Sequence, residues 1–118
     1  MSVSKWFRPV GIYDLAFLFQ RLTGIILVIY LCMHLVYLST LREPSIYESF
    51  LRVTTSPQYL PFDIMLVLCG VYHGINGVRI ILHELGFLHE HKKVVLAIAI
   101  VTIIVAWVIA SYMMLEVI

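Results

Sequence analysis

The residues best suited to chemistry lie together between Tyr72 and Arg79, in the stretch Tyr-His-Gly-Ile-Asn-Gly-Val-Arg. A histidine and an arginine stand here inside a segment that is otherwise apolar enough to cross a membrane. Ionisable side chains at such depth are costly, and they usually mark a functional site. Gly70, Gly74 and Gly77 clear one helix face beside His73. The cleared face predicts close approach by either a neighbouring helix or a flat ligand such as haem.

A second intramembrane histidine, His34, is predicted on the first long apolar segment. Counted from Arg21 at one membrane interface, His34 lies thirteen residues along a helix, or ~20 Å deep. Counted from Glu84 at the same interface, His73 lies eleven residues back, or ~16 Å deep. Two imidazoles at similar depth, on antiparallel neighbouring helices, predict axial ligands of haem iron.

Two questions about these histidines stay open at the level of sequence. Each imidazole could instead donate to a backbone carbonyl across a helix interface, with no haem present. In addition, helices packed ~8–10 Å apart leave no room for a macrocycle between them. Each histidine could therefore pair with a histidine of another subunit rather than with its neighbour.

Basic residues near the histidines suit an acidic or carbonyl-bearing ligand. Arg79 lies six residues past His73, ~9 Å nearer the same interface. Its guanidinium could pair with a haem propionate or extend to the lipid headgroups. The stretch Gln-Arg-Leu-Thr-Gly at 20–24 places Arg21 and Thr23 beside a glycine. This arrangement suits a quinone carbonyl or a propionate, and an ordinary basic anchor at the interface would look the same.

Composition places the chain in a membrane. It has 118 residues, of which 62% are hydrophobic and only 13% charged, more apolar surface than a soluble domain of this length can bury. The net charge of +1 argues against a nucleic-acid partner, which would need a basic face.

The other reactive side chains predict no further site. Cys32 and Cys69 lie in apolar runs and predict small buried side chains. His83, His89 and His91 lie in or near a short polar connection, where they predict a solvated loop. No phosphate loop, nucleophile elbow or dicarboxylate-binding motif is present.

The spacing of charges divides the chain into three membrane segments. Uncharged runs of about twenty residues match the thickness of the hydrocarbon core. We predict an all-α fold, an integral membrane bundle of three transmembrane helices at about 14–41, 61–85 and 93–116. They form a single membrane-anchor domain, residues 1–118, with a short amphipathic turn in the connection at 43–60.

The basic residues also predict an orientation. Six of them fall on the N-terminal side or at the helix ends that meet it, and only Arg42 and Arg52 fall on the other; the six are Lys5, Arg8, Arg21, Arg79, Lys92 and Lys93. The N-terminus is therefore predicted to be cytoplasmic. Neither a cleavable signal peptide nor an Arg/Ser-rich presequence precedes the first helix, which predicts a multi-pass protein of a prokaryotic plasma membrane.

These motifs resemble those of the cytochrome b membrane-anchor subunits of succinate dehydrogenase (respiratory complex II). That family carries His-Arg-x-(Ser/Thr)-Gly at the start of its first helix and His-x-x-x-Gly-x-Arg, then an acid, in its second. This chain has Arg-Leu-Thr-Gly at 21–24, His-Gly-Ile-Asn-Gly-Val-Arg at 73–79, and Glu84. The resemblance covers both motifs and the three-helix layout, which is nearly the whole chain.

The resemblance implies a haem b-binding subunit of succinate:quinone oxidoreductase with no dicarboxylate active site of its own. Its partners would be a second membrane-anchor subunit, an iron–sulfur subunit and a flavoprotein subunit, with electrons passing from succinate to a membrane quinone. His73 matches the family's haem ligand and Arg79 its neighbouring arginine. Arg21 matches the arginine near the quinone and a propionate. His34 matches the extra helix-one histidine of members that hold two haems between two anchor subunits.

The chain departs from the family pattern at three positions near Arg21. Gln20 replaces the usual histidine, and Phe17 and Ala16 lack the hydroxyl that contacts quinone in some members. Thr23 is the nearest hydroxyl that could substitute. Two alternatives therefore accompany the cytochrome interpretation: a haem-free structural anchor of the same complex, and the anchor of a quinol:fumarate reductase.

Overall fold

A computed structural model describes residues 11–117 of the chain and shows an all-helical protein. The four α-helices are α1 (Ile12–Ser39), α2 (Pro44–Thr54), α3 (Leu60–Glu84) and α4 (Lys92–Val117), joined by single 3-10 turns. Three of them, α1, α3 and α4, are long and apolar enough to cross a membrane. The predicted all-α fold with three membrane-spanning helices is confirmed.

The three long helices pack with α3 in the middle. Helices α1 and α4 both make their main contacts with α3. The indole Nε1 of Trp107 on α4 donates to the carbonyl of Ile64 on α3 at 3.0 Å. The hydroxyl of Tyr72 on α3 donates to the carbonyl of Ala16 on α1 at 2.8 Å. Both bonds satisfy polar atoms that lipid could not, which fixes the two interfaces.

Most large apolar side chains of the bundle face outward. Only four apolar residues are buried within the described part of the chain, namely Ala16, Leu96, Ala99 and Ile103. Cys32 is exposed and Cys69 half-buried, both as free thiols, so the prediction of two buried cysteines is wrong. This inside-out distribution is expected where lipid or other membrane subunits cover the surface.

The connection at 43–60 is more ordered than predicted. It contains α2, an eleven-residue helix that begins at Pro44, where proline suits the first turn. Rings of Tyr47 and Phe50 on α2 pack on Tyr37 of α1, with centroids 5.4 and 6.1 Å apart. The aromatic contacts hold α2 against the end of α1.

A tight turn joins α3 to α4. Gly86 adopts φ +87°, and the Phe87 N–H donates to the carbonyl of Leu82 at 2.9 Å. This left-handed glycine after the last turn closes the helix and satisfies its free carbonyls. The turn makes α3 and α4 antiparallel neighbours.

Residues 1–10 lie outside the described part of the chain. They include Lys5 and Arg8, two of the six basic residues on which the predicted orientation depends.

Candidate functional site

The imidazole of His73 lies against the backbone of α1. A Cβ added to Gly24 would stand 3.0 Å from His73 Cε1 and 3.5 Å from Nδ1. Contacts that short exclude any larger residue at position 24 unless the ring moves. The glycine after Thr23 therefore makes room for an imidazole from the facing helix.

One ring nitrogen of His73 is bound to α1. Nδ1 lies 3.1 Å from the backbone carbonyl oxygen of Gln20 and 3.3 Å from the Thr23 hydroxyl. A carbonyl oxygen only accepts, so this contact assigns the proton of the neutral ring to Nδ1. Nε2 is then the unprotonated nitrogen, and it makes no hydrogen bond to residues 11–117.

A groove on the surface of α1 and α3 is bounded by this imidazole. Its volume is about 650 Å³, and its walls are Gln20, Arg21, Gly24, Ile25, Val28, Ile29 and His73. Arg21 and His73 are the two ionisable residues of the wall. The groove thus combines an imidazole, a guanidinium and an apolar side formed by three branched residues of α1.

A chain of side-chain amides continues from the site into the bundle. Gln20 Nε2 donates to the backbone carbonyl of His73 at 3.1 Å, and Gln20 Oε1 accepts from Asn76 Nδ2 at 3.0 Å. Asn76 Oδ1 accepts from Arg79 Nε at 2.9 Å. Asn76 is 1% exposed and Arg79 7%, so an arginine charge is buried at the end of this network.

The three glycines of α3 have different surroundings. A Cβ on Gly77 would lie 3.1 Å from Gln20 Nε2, whereas Gly70 and Gly74 face open space. Of the two alternatives that the sequence left open, close approach by a neighbouring helix is observed at Gly77, and access for a flat ligand stays a prediction. Gly77 receives Gln20 of α1, and Gly70 and Gly74 stay uncovered by the described part of this chain.

Comparison with known protein families identifies the family to which this chain belongs. Residues 10–110 match the succinate dehydrogenase/fumarate reductase transmembrane subunit family. The chain belongs to this family. No curated protein and no solved structure matches it significantly. The chain is therefore a transmembrane subunit of a succinate dehydrogenase/fumarate reductase complex, and the resemblance inferred from its motifs is confirmed.

Within this transmembrane subunit, His34 and His73 lie at different levels. The pairs Gly24–His73 and Gln20–Gly77 set the antiparallel register of α1 and α3. His34 is ten residues beyond Gly24, or ~15 Å further along α1, near the first turn of α3. The predicted match in depth is wrong because α1 begins at Ile12, so Arg21 is well inside the helix rather than at its end. His34 is half-buried and stacks on Tyr30 with centroids 5.5 Å apart.

The remaining predicted site residues separate into two groups. Arg21 shares the groove with His73. Arg79 is buried away from it beside Asn76, rather than extended to the headgroups. Thr23 is 9% exposed, and its hydroxyl lies 2.7 Å from the Phe19 carbonyl, to which it donates. The structure thus places Thr23 behind the imidazole and not on the groove wall.

Gln20 and Asn76 contact this site, and the sequence did not identify them as site residues. Both are neutral amides in apolar helices, where an unpaired amide is costly. Because of this cost, the sequence could have indicated that each amide has a polar partner. Their partners could not be inferred from spacing, because they lie on another helix.

Three of the four buried side-chain atoms that lack a hydrogen-bond partner among residues 11–117 lie where α1 begins and α3 ends, and the fourth, Ser111 Oγ, lies near the end of α4. Both ring nitrogens of His83 and the Tyr13 hydroxyl are buried without a hydrogen-bond partner among residues 11–117. The His83 ring lies 5.8 Å from that of His89, and Lys92 Nζ is 5.2 Å from the centre of the Tyr13 ring. The expectation that His83 belongs to a solvated loop is wrong, since its nitrogens are enclosed.

Proposed function

We propose that this transmembrane subunit binds haem b through His73 and anchors a succinate:quinone oxidoreductase. The observation that carries the proposal is the hydrogen bond from His73 Nδ1 to the Gln20 carbonyl. Histidines that bind metals usually donate their other N–H to such an acceptor, which fixes the tautomer and orients the ring. Here the bond leaves Nε2 as the nitrogen available to iron, on a residue that lines an open groove.

The groove residues fit a haem in their chemistry. Ile25, Val28 and Ile29 offer an apolar wall for a macrocycle, and Arg21 offers a cation for a propionate. His73 is the one histidine of this wall, so any further protein group that holds the haem would come from the second membrane-anchor subunit. Haem b, when bound, supplies one-electron redox chemistry at this position in the membrane.

The residues of this chain would act by binding and orientation. Gly24 admits the imidazole, the Gln20 carbonyl holds its tautomer, and Arg21 provides positive charge beside it. Arg21 is also the residue of this chain best suited to polarise a quinone carbonyl. Thr23 as a quinone contact stays a prediction, and its hydroxyl is already donated to the helix backbone.

His34 and Arg79 carry two further parts of the proposal. His34 lies ~15 Å from the level of His73 along α1, so as a ligand it would serve a second haem rather than the same one. Arg79 makes one hydrogen bond within residues 11–117, from Nε to Asn76. Its role as a propionate partner therefore stays a prediction that requires an anion from outside this chain.

The proposed complex contains an iron–sulfur subunit and a flavoprotein subunit on the cytoplasmic face of a prokaryotic plasma membrane. The unsatisfied groups of His83 and Tyr13 support docking at the end where α1 begins, because buried polar atoms are normally paired. The basic residues His89, Lys92 and Lys93 lie at the same end, where α4 begins. This placement supports a cytoplasmic N-terminus, in agreement with the positive-inside rule.

A haem-free structural anchor is the second candidate function, and one observation favours it. The bond from His73 to the Gln20 carbonyl would also serve simple helix packing. In the cytochrome, Nε2 of His73 binds the haem iron, whereas in the structural anchor it binds no metal. A reduced-minus-oxidised spectrum of the purified complex tests them: bands of b-type haem support the cytochrome, and their absence leaves the structural anchor. Succinate oxidation and fumarate reduction by the same complex would be separated by turnover assays in each direction.

A further inference from the structure

Gln20 binds His73 at two separate points. Its backbone carbonyl accepts from Nδ1 of the imidazole at 3.1 Å, and its side-chain Nε2 donates to the His73 backbone carbonyl at 3.1 Å. One residue of α1 therefore holds both the ring and the peptide group of the same residue of α3. Because its backbone is held at one point and its ring at the other, His73 has little freedom to rotate its ring away from the Gln20 carbonyl.

The Gln20 amide is itself held in one orientation. Its Oε1 accepts from Asn76 Nδ2 at 3.0 Å, so its oxygen and nitrogen cannot exchange without losing both bonds. The nitrogen fits the space left by Gly77, where an added Cβ would lie 3.1 Å away. An alanine at position 77 would push the amide back by a few tenths of an ångström and strain its bonds to His73 and Asn76.

A buried positive charge ends the same chain of hydrogen bonds. Arg79 Nε donates to Asn76 Oδ1 at 2.9 Å, Asn76 donates to Gln20, and Gln20 donates to His73. All three bonds run in one direction, so each amide dipole polarises the next. No carboxylate among residues 11–117 pairs with Arg79, and its charge is little screened at 7% exposure.

We propose that Gln20 is the positioning residue of His73, and that Asn76 couples it to the buried charge of Arg79. The Gln20 carbonyl holds the imidazole in its Nδ1–H tautomer, and the side-chain network holds the backbone of His73 beside it. The fixed positive field raises the midpoint potential of a group bound to Nε2, because it stabilises added negative charge. The predicted change in midpoint potential rests on the proposed haem ligation. The predicted tautomer of His73 is a property of the protein and can be measured without haem.

The test compares Gly77→Ala with Gly74→Ala in the intact complex. Both add one methyl group to α3, but only the first meets Gln20. Gly77→Ala is expected to lower the midpoint potential of the b-type haem and to broaden its low-spin ferric EPR signal. Gly74→Ala should leave both unchanged. Equal behaviour of the two variants would overturn the proposal.

Two further variants separate positioning from general packing. Gln20→Leu keeps the backbone carbonyl and removes the amide, and it should lower the potential while haem is retained. Arg79→Gln removes the charge and keeps a polar side chain, and it should lower the potential without broadening the EPR signal. An unchanged potential in both variants contradicts the coupling to Arg79.

A haem-independent measurement keeps this inference distinct from the proposed function. The full chain, labelled with 15N-histidine and purified without haem, should show His73 as the Nδ1–H tautomer; the signal is assigned by its loss in His73→Ala. Gly24→Ala, whose Cβ meets the ring itself, should move the imidazole off the Gln20 carbonyl and give a mixture of tautomers, and Gly74→Ala should not. A wild-type complex without b-type bands would refute haem ligation, whereas an unaltered tautomer in Gly24→Ala would refute the role of the Gln20 carbonyl in holding the tautomer.

Discussion

His73 and Gly24 are packed so closely that each position depends on the other. A Cβ on Gly24 would stand 3.0 Å from Cε1 of the His73 imidazole. The glycine of the first motif and the histidine of the second, forty-nine residues apart in sequence, therefore form one structural unit. Chemistry proposed for His73 must then respond to changes on α1.

Gly24→Ala is the most direct change on α1. We expect the added methyl to displace the imidazole, at a cost of about 1–3 kcal/mol as for other overpacked sites. Haem content per complex should fall accordingly. Gly70→Ala is the control, because its Cβ meets no atom within 4 Å. Where no clash occurs, a glycine-to-alanine change in a helix stabilises the folded protein by about 0.5–1 kcal/mol. Equal haem content in the two variants would refute the role of Gly24.

Thr23→Val should have a smaller effect at the same site. It removes the hydroxyl 3.3 Å from His73 Nδ1 and leaves the Gln20 carbonyl in place. The interaction that holds the imidazole against α1 should therefore weaken by about 1 kcal/mol. Thr102→Val on α4 is the control, since its hydroxyl likewise donates to the carbonyl four residues earlier. Redox titration of the bound haem should show a shift in Thr23→Val only. A shift of the same size in both would indicate a general effect on the helices.

Arg21→Gln should reduce reaction with quinone. Loss of one charged hydrogen bond, worth about 1.5–3 kcal/mol, corresponds to a decrease of about 10- to 100-fold in kcat/KM for quinone. Arg52→Gln is the control because Arg52 is exposed on α2, at the other end of the bundle. Succinate oxidation measured with an artificial acceptor, which bypasses the membrane, should stay normal in both. Unchanged quinone reduction in Arg21→Gln would exclude it from the quinone site.

His34→Ala tests whether the second histidine binds a separate haem. Since His34 lies ~15 Å along α1 from the level of His73, its removal should spare the groove that His73 lines. Haem per complex, from pyridine haemochrome and protein assays, should fall by one, and the spectrum of the remaining haem should be unchanged. A ratio that does not fall would remove His34 from the set of ligands.

The three membrane-spanning helices could be predicted because uncharged runs of this length leave few alternatives. Helix α4 has no charged residue between Lys93 and Glu116, so its span follows from composition alone. Helix α2 was predicted only as a short amphipathic turn, because its eleven residues mix Glu48 and Arg52 with aromatic side chains. Those aromatic residues are explained only by their packing on Tyr37.

The site itself could be predicted only in part. His73 and Arg21 were both identified, and the structure brings them to one groove. The predicted match in depth between His34 and His73 is wrong because Arg21 lies inside α1 and does not mark its end. The true register depends on Gly24 and Gly77 receiving side chains from the facing helix. Such pairing between helices leaves no trace in spacing along one helix.

Binding of haem b by His73 is tested most directly by one difference spectrum. The wild-type complex and a His73→Ala complex, purified in parallel, are compared by reduced-minus-oxidised difference spectra at equal protein. The wild type should show b-type bands, and His73→Ala should lose those of one haem while the iron–sulfur and flavoprotein subunits remain bound. Absence of bands in the wild type, or undiminished bands in His73→Ala, would contradict the assignment.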